Sequence, residues 1–239
     1  MNRFNRIVKH ACLPLVALGV SACSDSDLIE PKIFEVSVVN ASASQPLSPI
    51  AAVLHRGGYQ AWEISDSASA GLELLAEGGD NSELLAEAEA STANYLTGTS
   101  SQGVLLPGDS VSLSLSAGQL ENTELTLVSM LVNTNDAFTG VTGLDLTSLS
   151  VGGELQLMLP IYDAGTEFNS ELDGTIPGPA DGGEGFNVAR DDIADQVTRH
   201  PGVVSDAANG GLSENPLSTL EEIHKFDAPI AKVVVTRVN

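Results

Sequence analysis

Between Ser110 and Ser116 the chain reads SVSLSLS, and this strict alternation of serine with Val111, Leu113 and Leu115 permits little besides a β-strand. Successive strand side chains leave on opposite faces, so the order puts every apolar group on one side and every hydroxyl on the other. A strand of this kind lies half buried against a second layer. The same period recurs in IFEVSVVN (Ile33 to Asn40), which aligns Phe34, Val36 and Val38, and the closing KVVVTRV (Lys232 to Val238) is a β-branched run. The two ends of the chain are therefore expected to pair in one sheet. LTLVSMLV (Leu125 to Val132) is apolar on both faces, as a central strand is. ELQLMLPI (Glu154 to Ile161) directs Leu155, Leu157, Leu159 and Ile161 to one side.

Two stretches break the pattern. SAGLELLAEGG (Ser69 to Gly79) and DNSELLAEAEA (Asp80 to Ala90) read as helices, with Asp80 and Glu83 as a capping pair in the second. IPGPADGGEG (Ile176 to Gly185) and HPGVVSDAANGGLSENP (His200 to Pro216) read as long loops. The expected fold is an all-β antiparallel sandwich with short helical insertions and long loops.

The N-terminus carries an address. MNRFNRIVKH is basic, ACLPLVALGV is apolar but too short to span a bilayer, and VSAC ends in small residues before Cys23. Val20 to Cys23 resembles the lipobox of bacterial lipoproteins, in which cleavage precedes the cysteine and the thiol is acylated. The resemblance implies a signal peptide over residues 1–22, a lipid on Cys23, a polar tether over 23–31 and one domain over 32–239. The alternative is an ordinary signal peptide with an incidental cysteine. Ser24 in the next position favours, by analogy with bacterial sorting, the outer membrane. The other cysteine, Cys12, lies inside the signal, so no disulfide is expected and the fold rests on packing, alone or with a bound ion.

Acidic residues outnumber basic ones 32 to 10, for a net charge of −22. A surface of that sign repels phosphate backbones, which argues against nucleic acid, and draws cations. Solubility accounts for most such carboxylates.

Four phrases together resemble the spondin domain: LSPIAAVLHRGGYQAWEISDSASAGLELLAEGGDNSELLAE (Leu47 to Glu87), MLVNTNDAFTG (Met130 to Gly140), YDAGTEFNSE (Tyr162 to Glu171) and PIAKVVVTRV (Pro229 to Val238). The chain departs from animal members in having no disulfide cysteines and in carrying Ala137 where tryptophan often follows the aspartate. The resemblance implies an eight-stranded sandwich, a divalent-cation site in loops at one end, and recognition or adhesion at extracellular surfaces; it does not transfer a ligand, for which an extracellular glycan or a matrix or surface protein is the candidate. It also implies that Asp136 and the carbonyl of Gly140 are cation ligands.

Local chemistry adds Asp163 and Glu167. Calcium takes six to eight oxygens from carboxylates, carbonyls and water, supplied by loops that curl round it. VNTNDAFTG offers Asn133, Asn135 and Asp136; YDAGTEFNSE offers Asp163, Thr166, Glu167 and Asn169 around Gly165. The competing reading is that Asp163, Asn133 and Asn135 cap their own turns, a common use of Asx residues after strands. His55, His200 and His224 lack zinc-ligand spacing, and no GxSxG or phosphate-cradling loop is present. Glu221 and Glu222 would serve a polysaccharide hydrolase only if a cleft brought two carboxylates together, and a purely structural envelope protein is the third reading. Asp191, Asp192 and Asp195 read as a solvated helix start. Trp62 and Tyr59 are core anchors or a sugar-stacking platform.

Overall fold

The computed structural model describes residues 30–118, 122–190, 194–205, 217–227 and 229–239. The expected signal, Cys23 and the tether up to residue 29 lie outside the described residues, as do Asp191 and Asp192. Two antiparallel sheets face each other. One is built from β1 (Lys32–Asn40), β4 (Ser110–Ala117), β7 (Glu154–Leu159) and β10 (Ala231–Arg237), in the order β4-β1-β10-β7. The other contains β2 (Ala51–Arg56), β3 (Tyr95–Ser100), β5 (Thr123–Met130), β6 (Ala137–Asp145), β8 (Ile161–Asp163) and β9 (Thr198–Arg199), in the order β3-β2-β5-β6-β8-β9. The described strands thus number ten rather than eight, the additions being short pieces at one edge.

The chain ends pair as their sequences imply, Val36 opposite Val235 and Val38 opposite Val233, with β4 on the other flank of β1. Phe34, Val36, Val38, Leu113, Leu115, Val233 and Val235 form the inner face and pack with Leu54, Leu125 and Leu127 of the second sheet. β5 is apolar on both sides because its sheet is covered twice. Its far face, with Val128 and Met130, lies under helices α1 (Ala70–Gly78) and α2 (Ser82–Ala90) and under Trp62.

Ser69 caps α1, its hydroxyl accepting from Leu72 N at 3.1 Å, and Gly79 ends it at φ 73°. The Glu87 carboxylate ties α2 back to that start by accepting from Ser69 Oγ at 2.6 Å and Gly71 N at 2.8 Å. The expected Asp80–Glu83 pair does not form as a capping box. Asp80 Oδ1 accepts from Ser82 N at 2.9 Å instead, since Asn81 is the residue at the helix boundary.

LQLMLPI is not one strand. Leu159 pairs with Ala231 in the first sheet and Ile161 with Thr139 in the second. Pro160 between them has no N–H to donate to a ladder, which makes it the natural point to change sheets. Leu155 and Leu157 are only half buried because β7 is an edge strand. β6 begins at Ala137, inside the stretch read as a loop. Among the described residues Asp195 starts no helix; it adopts φ 44° and accepts from Ser67 Oγ at 2.9 Å.

Candidate functional site

The β5–β6 connection is folded by Thr134, whose hydroxyl donates to Leu131 O at 2.6 Å and accepts from Ala137 N at 3.1 Å. That turn leaves Asp136 completely buried at the start of β6. Ala137 pairs with Asp163, the last residue of β8, so the two loops singled out in the sequence meet at one end of the second sheet. Gly165 turns the second loop back at φ 71°, with Gln196 O only 2.4 Å from where a Cβ would stand. The loop amides then reach Asp136: its Oδ2 accepts from Thr166 N at 2.9 Å and Glu167 N at 3.2 Å. Its other oxygen, Oδ1, is buried with no hydrogen-bond partner.

Asp163 satisfies the capping reading, Oδ1 accepting from Gly165 N at 2.8 Å, and it also faces the cluster, with Oδ2 bonded to Asn169 Nδ2. Glu167 is 5% exposed and its Oε1 lies 2.6 Å from Arg190 Nε. The angle of that contact departs from hydrogen-bond geometry, so it is an ion pair held by charge. Arg190 is itself held by the carbonyls of Thr175 at 2.9 Å and Glu184 at 3.1 Å. Glu167 Oε2 accepts from Asn135 Nδ2 at 3.3 Å.

A fourth carboxylate arrives from a distant part of the chain. Glu77, in the last turn of α1, is 2% exposed and accepts from Asn187 N at 3.4 Å. Its charge also acts on Glu167 and on Asp136. The one hint in the sequence is its position, since a helix C-terminus disfavours negative charge. Burial first, then the Asp163 charge, pushes the Asp136 carboxyl up to about 7. Burial first, then Glu77, pushes Glu167 up to about 8, against the pull of Arg190. A cavity of about 250 Å³ lined by Asn135, Glu167, Phe168, Ser170, Thr175 and Arg190 opens beside Glu167.

Gly140 does not join the cluster. It is the fourth residue of β6, paired with Val128, and at about 3.3 Å of rise per residue it stands roughly 13 Å along the strand from Asp136. A Cβ there would lie 2.3 Å from Leu127 O and 2.8 Å from Trp62 Cη2, so its lack of a side chain serves packing. Trp62 is a core residue, edge-on to Phe138 at 5.1 Å and to Tyr162 at 5.4 Å. His55 is buried between Thr126 Oγ1 and Arg56 O, both at 2.9 Å. Among the described residues no three Asp, Glu, His or Cys side chains already stand close enough to hold a metal between them. The four carboxylates are linked through charge, Asp163 and Glu77 acting on Asp136 and Glu77 on Glu167, while Arg190 is the cation paired with Glu167.

A family model, Spondin_N, matches residues 40–173, more than half of the chain and the part that carries Glu77, Asp136, Asp163 and Glu167. No curated protein matches the chain.

Proposed function

This chain belongs to the spondin N-terminal domain family, a family of extracellular recognition modules rather than enzymes, and we propose that it is a lipid-anchored surface recognition or adhesion module whose binding loops are organised by a divalent cation, calcium by its oxygen chemistry. The observation that carries the proposal is Asp136 Oδ1: a fully buried carboxylate oxygen with no partner, on a group that also feels the charges of Asp163 and Glu77. Leaving such an atom unsatisfied costs about 1–3 kcal/mol or more when it is charged. A hard cation removes that cost, since carboxylate oxygens are its preferred donors.

Asp136, Asp163 and Glu167 would hold the ion, with Glu77 as the neighbouring charge; Gly140 has no part in it. Bound there, the ion would neutralise the cluster and tie the β5–β6 loop to the loop after β8. It would take over the charge balance that Arg190 now supplies to Glu167, and both of these residues line the cavity of about 250 Å³. The loop around Phe168, which is 56% exposed, would offer surface to a partner beside the site.

The position of the cluster suits presentation outward. β1 starts at Lys32, where the tether enters, and nine residues later Asn40 donates to Gln45 O at 2.8 Å while Gln45 Nε2 donates to Asn133 O at 3.3 Å in the β5–β6 loop. Nine strand residues span about 30 Å, so Lys32 and the cluster lie at opposite ends of the strand. Among the described residues no helix is long and apolar enough to cross a membrane, and attachment through Cys23 is the proposed anchor. The test is a glycan and matrix-protein binding screen run in calcium and in chelator. Ligands captured only with calcium support the reading, and capture indifferent to calcium on a protein that binds no divalent cation refutes it.

A further inference from the structure

We propose that Asn169 and His200 are positioning residues for the cation site, orienting the Asp163 carboxylate through a one-way chain of hydrogen bonds. The inference rests on the cation reading above.

The chain has a fixed direction. Gly202 N donates to His200 Nδ1 at 2.9 Å, which makes Nδ1 the acceptor and leaves the ring proton on Nε2. Nε2 lies 3.0 Å from Asn169 Oδ1 and therefore donates to it. The Asn169 amide is then compelled to turn its NH2 toward Asp163 Oδ2. A flipped amide would set its NH2 against the imidazole N–H and its oxygen against a carboxylate, losing both bonds. Bonds that run in one direction polarise one another, so the last donor, at the carboxylate, is the most strengthened.

The far end of the chain is anchored. The His200 ring packs against Phe226 at 5.1 Å between centroids, and His200 N donates to Ile161 O at 3.3 Å, tying the histidine to β8 itself. Burial lowers the imidazole to about 4, so it stays neutral at neutral pH, and the bond from Gly202 N fixes the tautomer. Nothing else on the described side chains holds Asp163 Oδ2, while Oδ1 is held by its own turn. Without Asn169 the carboxylate is free to rotate about its side-chain bonds, and repulsion from Asp136 favours rotation away from the cluster. Outer partners of this kind typically change metal affinity 10–100-fold.

The experiment uses the full chain stripped of metal with chelator and titrated with calcium by calorimetry in about 0.15 M salt, where diffuse charge is screened. Asn169→Ala and His200→Phe are expected to weaken calcium binding roughly 10–100-fold. His200→Phe keeps a ring against Phe226 but has no donor. His200→Gln, whose terminal N–H can take the place of Nε2–H, is expected to recover most of the affinity. Two further readouts separate positioning from general support: the melting temperature in chelator, and the nitrogen resonance of His200 Nε2, which should move on calcium addition in the wild type and stay still in Asn169→Ala. Wild type and all variants binding within about threefold of one another would overturn this proposal and leave the cation site intact. So would affinity that falls only in step with the metal-free melting temperature, with no rescue by glutamine. A wild type that binds no divalent cation overturns both.

Discussion

Asp136→Asn separates a cation ligand from a buried structural cap, because the two roles predict opposite responses to calcium. In metal-free protein the wild-type carboxyl rises from 3.8 to about 7, so its ionised form at pH 8 costs the folded state on the order of 4 kcal/mol. The sign follows from proton binding. The folded state holds this proton more tightly than the unfolded state, so the cost is absent below 3.8, grows as pH rises toward 7 and is complete above it. Asparagine removes that cost. Against this, the bonds from Thr166 N and Glu167 N become neutral ones, a loss of about 1 kcal/mol each, and an unpartnered amide hydrogen costs about 1–3 kcal/mol more. The terms nearly cancel, so in chelator at pH 8 the variant should melt within a few degrees of wild type.

Calcium then distinguishes them. Binding the folded state alone adds about 2.7 kcal/mol at a hundredfold excess over the dissociation constant, or roughly 5–11 °C for a domain of this size. The wild type should show that rise and Asp136→Asn should lose most of it. The assay is differential scanning calorimetry with chelator and with calcium in about 0.15 M salt. Glu154→Gln serves as control, because Glu154 is an exposed carboxylate paired with Thr236 at the Arg237 end of β10, beside the start of β1. An equal rise in all three proteins would mean that calcium acts on diffuse surface charge and that the proposed site is wrong.

Calcium affinity should fall as pH is lowered from 8 to 6, because Asp136 (about 7) and Glu167 (about 8) take up protons that the ion must displace; calorimetry in buffers of different ionisation enthalpy should detect protons released on binding, and none released would contradict these shifts. Gly140→Ala should destabilise the protein by about 1–3 kcal/mol without a specific loss of calcium affinity, since the added methyl meets Leu127 O and Trp62; an unchanged melting temperature would mean that Trp62 does not pack there. Cys23→Ser should leave the membrane fraction or remain unprocessed, and a variant as firmly attached and as fully cleaved as wild type would sink the lipoprotein reading. The melting temperature of the processed protein should be indifferent to dithiothreitol, because both cysteines, Cys12 and Cys23, lie in or next to the proposed signal; a clear drop would contradict a fold without disulfides.

The sequence by itself determined what depends on neighbours along the chain. Period-two alternation marks β1 and β4 because each Cβ direction follows from the local backbone, and the capping hydroxyl of Ser69 with Gly79 brackets α1 for the same reason. Asp136, Asp163 and Glu167 were legible as an oxygen-rich pair of loops, and the pairing of the two chain ends followed from their matched β-branched faces. Tertiary structure alone decided which sheet each strand joins. ELQLMLPI alternates without interruption, yet Pro160 divides it between two sheets because ladder partners come from distant segments. Likewise Ala137 to Gly140 reads as loop chemistry, but β5 and β8 on either side make it strand, and the ring of Trp62 makes Gly140 a packing residue rather than a ligand. Glu77 and His200 enter the site with no local signal beyond a carboxylate at the wrong end of a helix, and Asn169, legible as one of the loop's polar groups, becomes the donor to Asp163 only in the fold. Charge and hydrogen bonds act through space, and only the folded chain brings α1, the loop after β8 and the residue following β9 to the same buried carboxylates.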